Sequence, residues 1–399
     1  MKRYFGTVAR GLRSPIINEG DDLLKIIPEL LVAAVDAGQL EFKDRDIICI
    51  TESILGRAQG NYAKLSEIGD DLKKKFGERT EHLGLVFPIM SRNRFSLLLK
   101  AISSVCKKVS ILLSYPKDEV GNSIFDPSLL NDSSIDPWSD VLSEDELRKA
   151  FTDVKHPFTG IDYLEFYREI VEEAGAEVEL IFANKAEVIL NYTKSVLVCD
   201  IHTRHETRRR LEKAGAEFVL GLEDVLNEAT DKHGYNEEYG LLGSNKADEK
   251  RVKLFPRDCQ KFVDELAAKL REISGKNIEV MIYGDGAFKD PVGHIWELAD
   301  PVVSPAFTEG LRGKPNEVKI KFLADSKFEG LSGEEQAAKI KESILHKDDN
   351  LVGQAISEGT TPRQYSDLLG SMADLVSGSG DKGTPFVYIQ GYFDSYADN

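Results

Sequence analysis

Long apolar runs are missing from this 399-residue chain. The richest, Ile26–Val35, is broken by Pro28 and Glu29, and none approaches the ~20 residues that a membrane-spanning helix needs. Cysteine is scarce. Cys49, Cys106, Cys199 and Cys259 stand far apart with no C-x-x-C pair. This argues against a disulfide scaffold or a structural zinc, and Cys49 and Cys199, which end apolar runs, read as buried thiols in a reducing compartment. No G-x-S-x-G is present, so the chain carries no sign of a serine–histidine–acid hydrolase. Behind Met1-Lys2-Arg3 there is no apolar h-region, so a secretory signal is not expected and a cytoplasmic protein is. Basic charge is in deficit, with 51 Lys and Arg against 68 Asp and Glu and a net charge of -17. A nucleic-acid binder would need a basic face, so that class is disfavoured. A small phosphate-bearing ligand is not, because a local cluster of cations overrides the global field.

What is present reads as an α+β chain of mixed α/β character in three parts. In residues 1–84, Asp21-Asp22 caps a helical pattern from Leu23, Pro28 restarts it as a first-turn proline, and Gly38 ends it. Asp46–Ile50 is a continuous apolar run, the mark of a buried strand. Residues 85–238 alternate strand with helix: strands at Val109–Leu113, Glu177–Phe182, Ser195–Cys199 and Phe218–Leu220, helices at Ser143–Ala150, Tyr163–Ala174 and Glu206–Ala214. A loop rich in Asp, Ser, Asn and Pro fills Asn122–Asp140. Such alternation favours a small parallel sheet. In residues 239–399, strands are expected at Glu279–Tyr283, Val318–Leu323 and Pro385–Gln390. Polar helix-forming sequence fills Leu331–Leu351, and an amphipathic helix fills Ser366–Val376.

Four stretches have the residue types for chemistry. Ser377-Gly378-Ser379-Gly380-Asp381-Lys382-Gly383-Thr384 satisfies G-x-G-x-x-G, but a helix precedes it and a strand follows. The dinucleotide fingerprint requires the opposite order. The loop's N–H groups still suit phosphate oxygens, and a flexible connection or hairpin turn suits it equally. Asp285 follows a strand between Gly284 and Gly286, a place suited to a hard cation or to a polar turn. Asn245 and Asp248 offer oxygens three residues apart in a polar turn. Asp200-x-His202-x-x-His205 resembles a metal motif, but Arg204, Arg208, Arg209 and Arg210 crowd it. A capped helix with a solvated basic face is the better reading there, with anion binding as the functional remainder.

Together these stretches resemble the coenzyme F-420:L-glutamate ligase (γ-glutamyl ligase) family. "VARGLRSPIINEGDDL" with "DRDIICITESILGRAQGN", "GLLGSNKADEKRVKLFP" with "VMIYGDGAFKDPVGH", and "YSDLLGSMADLVSGSGDKGTPFVYIQGY" carry the likeness over less than half the chain. The middle block stands as an insertion between them. The resemblance implies a cytoplasmic, homodimeric enzyme that uses GTP (or ATP) with Mg²⁺ or Mn²⁺ to join L-glutamate to a carboxylate acceptor through an acyl phosphate. It places Ser14, Pro15, Ile16, Ile17, Glu52, Ser53, Arg57 and the loop Ser377–Thr384 at the nucleotide. It implies metal at Asp285, Asn245 and Asp248, and Asp285 and Arg57 as the catalytic pair. Arg57 stands where the family usually has Lys, Asn245 where it has Asp and Asp248 where it has Asn. Gly286 and Ser379 replace a metal-contacting Thr and acid. These departures leave a second implied reading, a non-catalytic or degenerate nucleotide-binding module with altered metal ligands.

Overall fold

The computed structural model describes residues 4–296, 298–357, 363–377 and 380–398. Continuous apolar strands lie at the centre of a five-stranded mixed sheet. It is built from β1 (Val8–Leu12), β2 (Ile47–Thr51), β12 (Glu279–Tyr283), β13 (Ala306–Phe307) and β14 (Phe386–Gln390), in the order β1-β14-β2-β12-β13. The central strands β2, β12 and β14 are covered on both faces, which is why they are apolar without alternation. Ile48, Ile50, Val280 and Ile282 pack on one side with the helices Leu23–Asp36 and Cys259–Ser274. Cys49, Met281, Tyr283 and Val387 pack on the other, against Leu369 and Ala373 of the helix Tyr365–Ser377.

The middle of the chain forms a six-stranded sheet of β4 (His82–Val86), β5 (Lys108–Leu113), β6 (Leu142–Ser143), β7 (Glu177–Phe182), β8 (Ser195–Val198) and β9 (Phe218–Gly221). Its order is β6-β7-β5-β4-β8-β9, all parallel except the edge strand β6. The parallel strands thus follow a doubly wound order, which reverses between β4 and β8. The expected break between residues 84 and 85 falls inside β4. A third, antiparallel sheet joins β3 (Tyr62–Lys64), β10 (Asn245–Lys246) and β11 (Arg251–Lys253).

Two local expectations are corrected. Pro28 does not restart a helix but lies inside the continuous helix Leu23–Asp36. The proline has no N–H for the carbonyl one turn back, at Leu24, and that oxygen accepts from Lys269 Nζ at 3.3 Å instead. Val318–Leu323 is not a strand: Ile320–Phe322 is helical and runs into a wide turn over Leu323–Lys327. Its alternating apolar residues have no sheet edge to join, and only Leu323 is buried, while Ile320 faces outward. Among the described residues no helix is long and apolar enough to cross a membrane.

Candidate functional site

Sheet register gathers motifs that are far apart in sequence. Leu12 and Ile50 both lie opposite Phe386, and Thr51 lies beside Tyr283. The C-terminal ends of β1, β2 and β12 therefore share one edge with the start of β14. Ser14–Ile17, Glu52–Ser53, Gly284–Asp285 and the glycine loop all leave from that edge. The Ser14 N–H donates to the Gly383 carbonyl at 3.1 Å, and the Thr51 N–H donates to Pro385 at 3.2 Å. Arg57 Nε donates to the Ile17 carbonyl, which ties the helix after β2 to the segment after β1. Ser14 Oγ donates to the Pro15 carbonyl. Ile17 is buried while Ile16 is 82% exposed.

Glycine is required at two of these contacts. A Cβ on Gly11 would come within 2.8 Å of Thr384. The φ of Gly383 is +64°, a left-handed conformation that side-chain-bearing residues rarely adopt. Thr384 Oγ1 closes the loop by donating to the Ser377 carbonyl at 2.9 Å. Asp381 and Lys382 are exposed at its tip. Gly378 and Ser379 lie outside the described residues.

Beneath the edge sits a buried cluster of charges. Glu52 opens the helix Glu52–Ala58 and is 4% exposed. Its Oε1 lies 3.9 Å from Lys253 Nζ, and its Oε2 has no hydrogen-bond partner within the described chain. Lys253 also donates to the Ser53 hydroxyl and carbonyl. Arg94 spans two carboxylates, with Nη2 at 2.8 Å from Asp285 Oδ2 and Nη1 at 2.8 Å from Asp300 Oδ1. The second oxygen of Asp300 accepts the Asp285 N–H at 2.8 Å. A Cβ on Gly284 would stand 2.4 Å from that oxygen, so glycine makes room for the Asp300 carboxylate. Asp374 accepts the Gly286 N–H at 3.0 Å.

Burial sets the titration of this cluster. It pushes Glu52 up to about 8; Asp300 and Asp285 act in the same direction, while Lys253 and Arg94 oppose it. Burial also raises Asp374 from its ordinary value. Burial works against the charge on Arg94, but Asp300 and Asp285 outweigh it and hold the guanidinium above its ordinary pKa.

A cleft of about 930 Å³ opens beside this cluster. Its cations are Arg57, Lys246, Arg251 and Lys253, against the single acid Glu19, with Ser53 and Asn245 as polar lining. In a chain of net charge -17 this is a local reversal of sign. Asn245 reaches the cleft because β10 pairs it opposite Lys253. Asp248, three residues on, lies past the end of β10 in the connection to β11. Its carboxylate accepts the Lys250 N–H at 2.8 Å and Arg251 Nε at 2.7 Å. Arg251 also stands over the Tyr62 ring, 5.3 Å from its centroid.

The Asp200–His205 stretch is a helix start. Asp200 accepts from the Thr203 and Thr207 hydroxyls, and Glu119 accepts the N–H groups of Ile201, His202 and Thr203. Arg204, Arg208, Arg209 and Arg210 pair with Glu223, Asp224, Glu206 and Glu187 of the same chain. Among the described residues no group of three His, Cys, Asp or Glu side chains is placed to hold a metal ion.

Sequence reasoning did not find Arg94, Asp300, Lys253 or Asp374. Arg94 belongs to the middle block and Asp300 follows Asp285 by fifteen residues, so no local spacing links them. The one available sign was Lys253, a cation in a strand just before the apolar Leu254-Phe255. A protein-family model described as F420-0:Gamma-glutamyl ligase matches residues 11–391. A search of curated proteins finds no match.

Proposed function

Because the chain belongs to the F420-0:gamma-glutamyl ligase family, whose members are amide-forming enzymes, we propose that it is a nucleotide-dependent γ-glutamyl ligase. In this reading it joins L-glutamate to a carboxylate acceptor, with GTP (or ATP) as phosphoryl donor. The observation that carries the reading is the shared sheet edge. Ser14–Ile17, Glu52–Arg57 and the loop ending at Thr384 meet there, beside a cleft with four cations and one acid.

Amide formation from a free carboxylate is uphill in water, so it must be coupled to cleavage of a triphosphate. The acceptor carboxylate oxygen attacks the γ-phosphorus and expels the nucleoside diphosphate, leaving an acyl phosphate. The glutamate amine then attacks the acyl carbon, phosphate leaves, and the nitrogen gives up one proton. The chain's part is alignment and charge neutralisation. Arg57, Lys246, Arg251 and Lys253 supply positive charge at the cleft. N–H groups of the glycine loop are suited to phosphate oxygens.

The resemblance also implies Mg²⁺ or Mn²⁺, with Asp285 as a ligand. As arranged, Asp285 and Asp300 do not fit a divalent ion, because Arg94 holds one oxygen of each. The same observation favours a second reading, a nucleotide-binding module without turnover. A homodimer is also proposed, since two-fold dimers are the commonest oligomers.

Calorimetric titration with GTP and ATP, together with phosphate release measured with and without glutamate, tests these readings. The ligase reading expects nucleotide binding, weakened by Arg57→Ala, and phosphate release that needs both glutamate and a carboxylate acceptor. Binding without release supports the module. Absence of nucleotide binding at millimolar concentration rejects both.

A further inference from the structure

Arg94 reaches the ligase-like edge from the other sheet. β4 ends at Val86, and the chain continues through Ser91 to Arg94, just before the helix Phe95–Ser103. It leaves next to the point where the parallel strand order reverses, the crevice in which doubly wound sheets place functional groups. The segment is pinned on its way. Met90 N–H donates to the buried Asp118, Ser91 N–H to the Tyr167 hydroxyl, and the Asn93 carbonyl accepts the Lys246 N–H at 2.9 Å. On the far side, the Trp296 N–H donates at 2.7 Å to the carbonyl of Val120, in the connection that follows β5. The guanidinium is thus delivered by a rigid frame, and its planar fork takes one oxygen from each of two carboxylates.

Arg94 and Lys253 stand among Asp285, Asp300 and Glu52, with Asp374 close by on the Gly286 N–H. A divalent ion added to this set would face two resident cations and carboxylates already engaged. Mg²⁺ and Mn²⁺ need several oxygens at close range, and carboxylate oxygens above all. With Arg94 removed, the same carboxylates would be left with Lys253 as their nearest cation and an excess of negative charge.

We propose that Arg94 is a built-in cation that occupies the position between Asp285 and Asp300 in place of a divalent ion. The inference rests on reading this edge as the nucleotide site of a ligase. It assigns the middle block a share in that site: the parallel sheet supplies the charge that a metal would otherwise bring. Any divalent ion taking part in turnover would then arrive with the nucleotide phosphates rather than on Asp285.

Titration of the full-length protein with Mn²⁺ alone, followed by electron paramagnetic resonance of the free ion, tests this without nucleotide or glutamate. The outcome therefore does not depend on whether the protein is a ligase, and failure of that reading appears in phosphate release instead. Wild type and Arg94→Lys should show no Mn²⁺ site that depends on Asp285, so Asp285→Asn in the wild-type background should change nothing. Arg94→Gln should gain one Mn²⁺ per chain, at least tenfold tighter than any wild-type binding, and Arg94→Gln with Asp285→Asn should lose it. Equal Mn²⁺ binding by wild type and Arg94→Gln overturns the proposal. Loss of a Mn²⁺ site in Asp285→Asn alone also overturns it, and that arm needs no change at Arg94, so it stands even where Arg94→Gln does not fold.

Discussion

Replacing Glu52 with Gln should flatten the dependence of stability on pH. In the folded protein burial pushes the Glu52 carboxyl up to about 8, helped by Asp300 and Asp285 and opposed by Lys253 and Arg94. In the unfolded chain it returns towards 4.5. The folded state therefore binds this proton more tightly. The stability it contributes is fully present below about pH 4.5 and is lost as pH rises towards 8. At 1.36 kcal/mol per pKa unit, the loss between pH 5 and pH 8 is roughly 4 kcal/mol. With an unfolding entropy near 2.1 cal/mol/K per residue, that amounts to about 5 °C in melting temperature when the whole chain unfolds together. Gln keeps the side-chain shape and removes the titration. An amide offers Lys253, 3.9 Å away, different hydrogen bonds from a carboxyl and shifts the whole curve, so the readout is the slope and not the offset. Burial also pushes Asp118 and Asp200 up to about 6, and these two groups slope both proteins alike. Melting curves by circular dichroism at pH 5, 6, 7 and 8 give the difference directly. The variant should gain about 5 °C on wild type across that range; parallel curves would refute the reasoning.

Three further outcomes are expected. Gly380→Val and Gly383→Val should each raise the Kd for GTP severalfold by calorimetry, because φ is +117° and +64° there and a β-branched residue resists both, although the space around them is open; wild-type affinity in both would count against phosphate binding by the loop. Asn61→Leu should cost about 3–5 kcal/mol in urea unfolding, because the buried amide donates to Tyr235 and Phe255 carbonyls and accepts from the Tyr235 N–H and Arg257, and these partners would lose it; a loss below about 1 kcal/mol would show that water replaces it. Light scattering at assay concentration should give twice the chain mass, and a monomer mass would reject the homodimer.

Local patterning alone determined much of the fold. Continuous apolar runs marked β2, β5 and β12, because strands covered on both faces have no polar side to alternate. The helix expected over Ser143–Ala150 is present from Glu144, and the structure closes its start with a reciprocal capping box between Ser143 and Glu146. The alternation of strand and helix in the middle block announced the parallel sheet, since parallel strands need long crossovers. Pattern failed where its partner lay elsewhere in the chain: Val318–Leu323 alternates but has no edge to pair with, and Pro28 is tolerated because Lys269 serves the carbonyl it leaves open.

At the site the division is the same. Local sequence singled out Asp285 and the glycine loop, which lie next to strand ends, while Glu52 and Arg57, on the helix that follows β2, came only from the family resemblance. That they share one edge follows only from register, with Leu12, Ile50 and Phe386 aligned across three strands. Asn245 and Asp248 looked equivalent as oxygen donors three residues apart. The pairing of β10 with β11 put one in the cleft and left the other at the turn, bound to Arg251. Arg94 carried no sign of its role, because a cation is assigned by the charges facing it. Asp285 and Asp300 face it only once two sheets, folded from separate stretches of chain, bring their strand ends together.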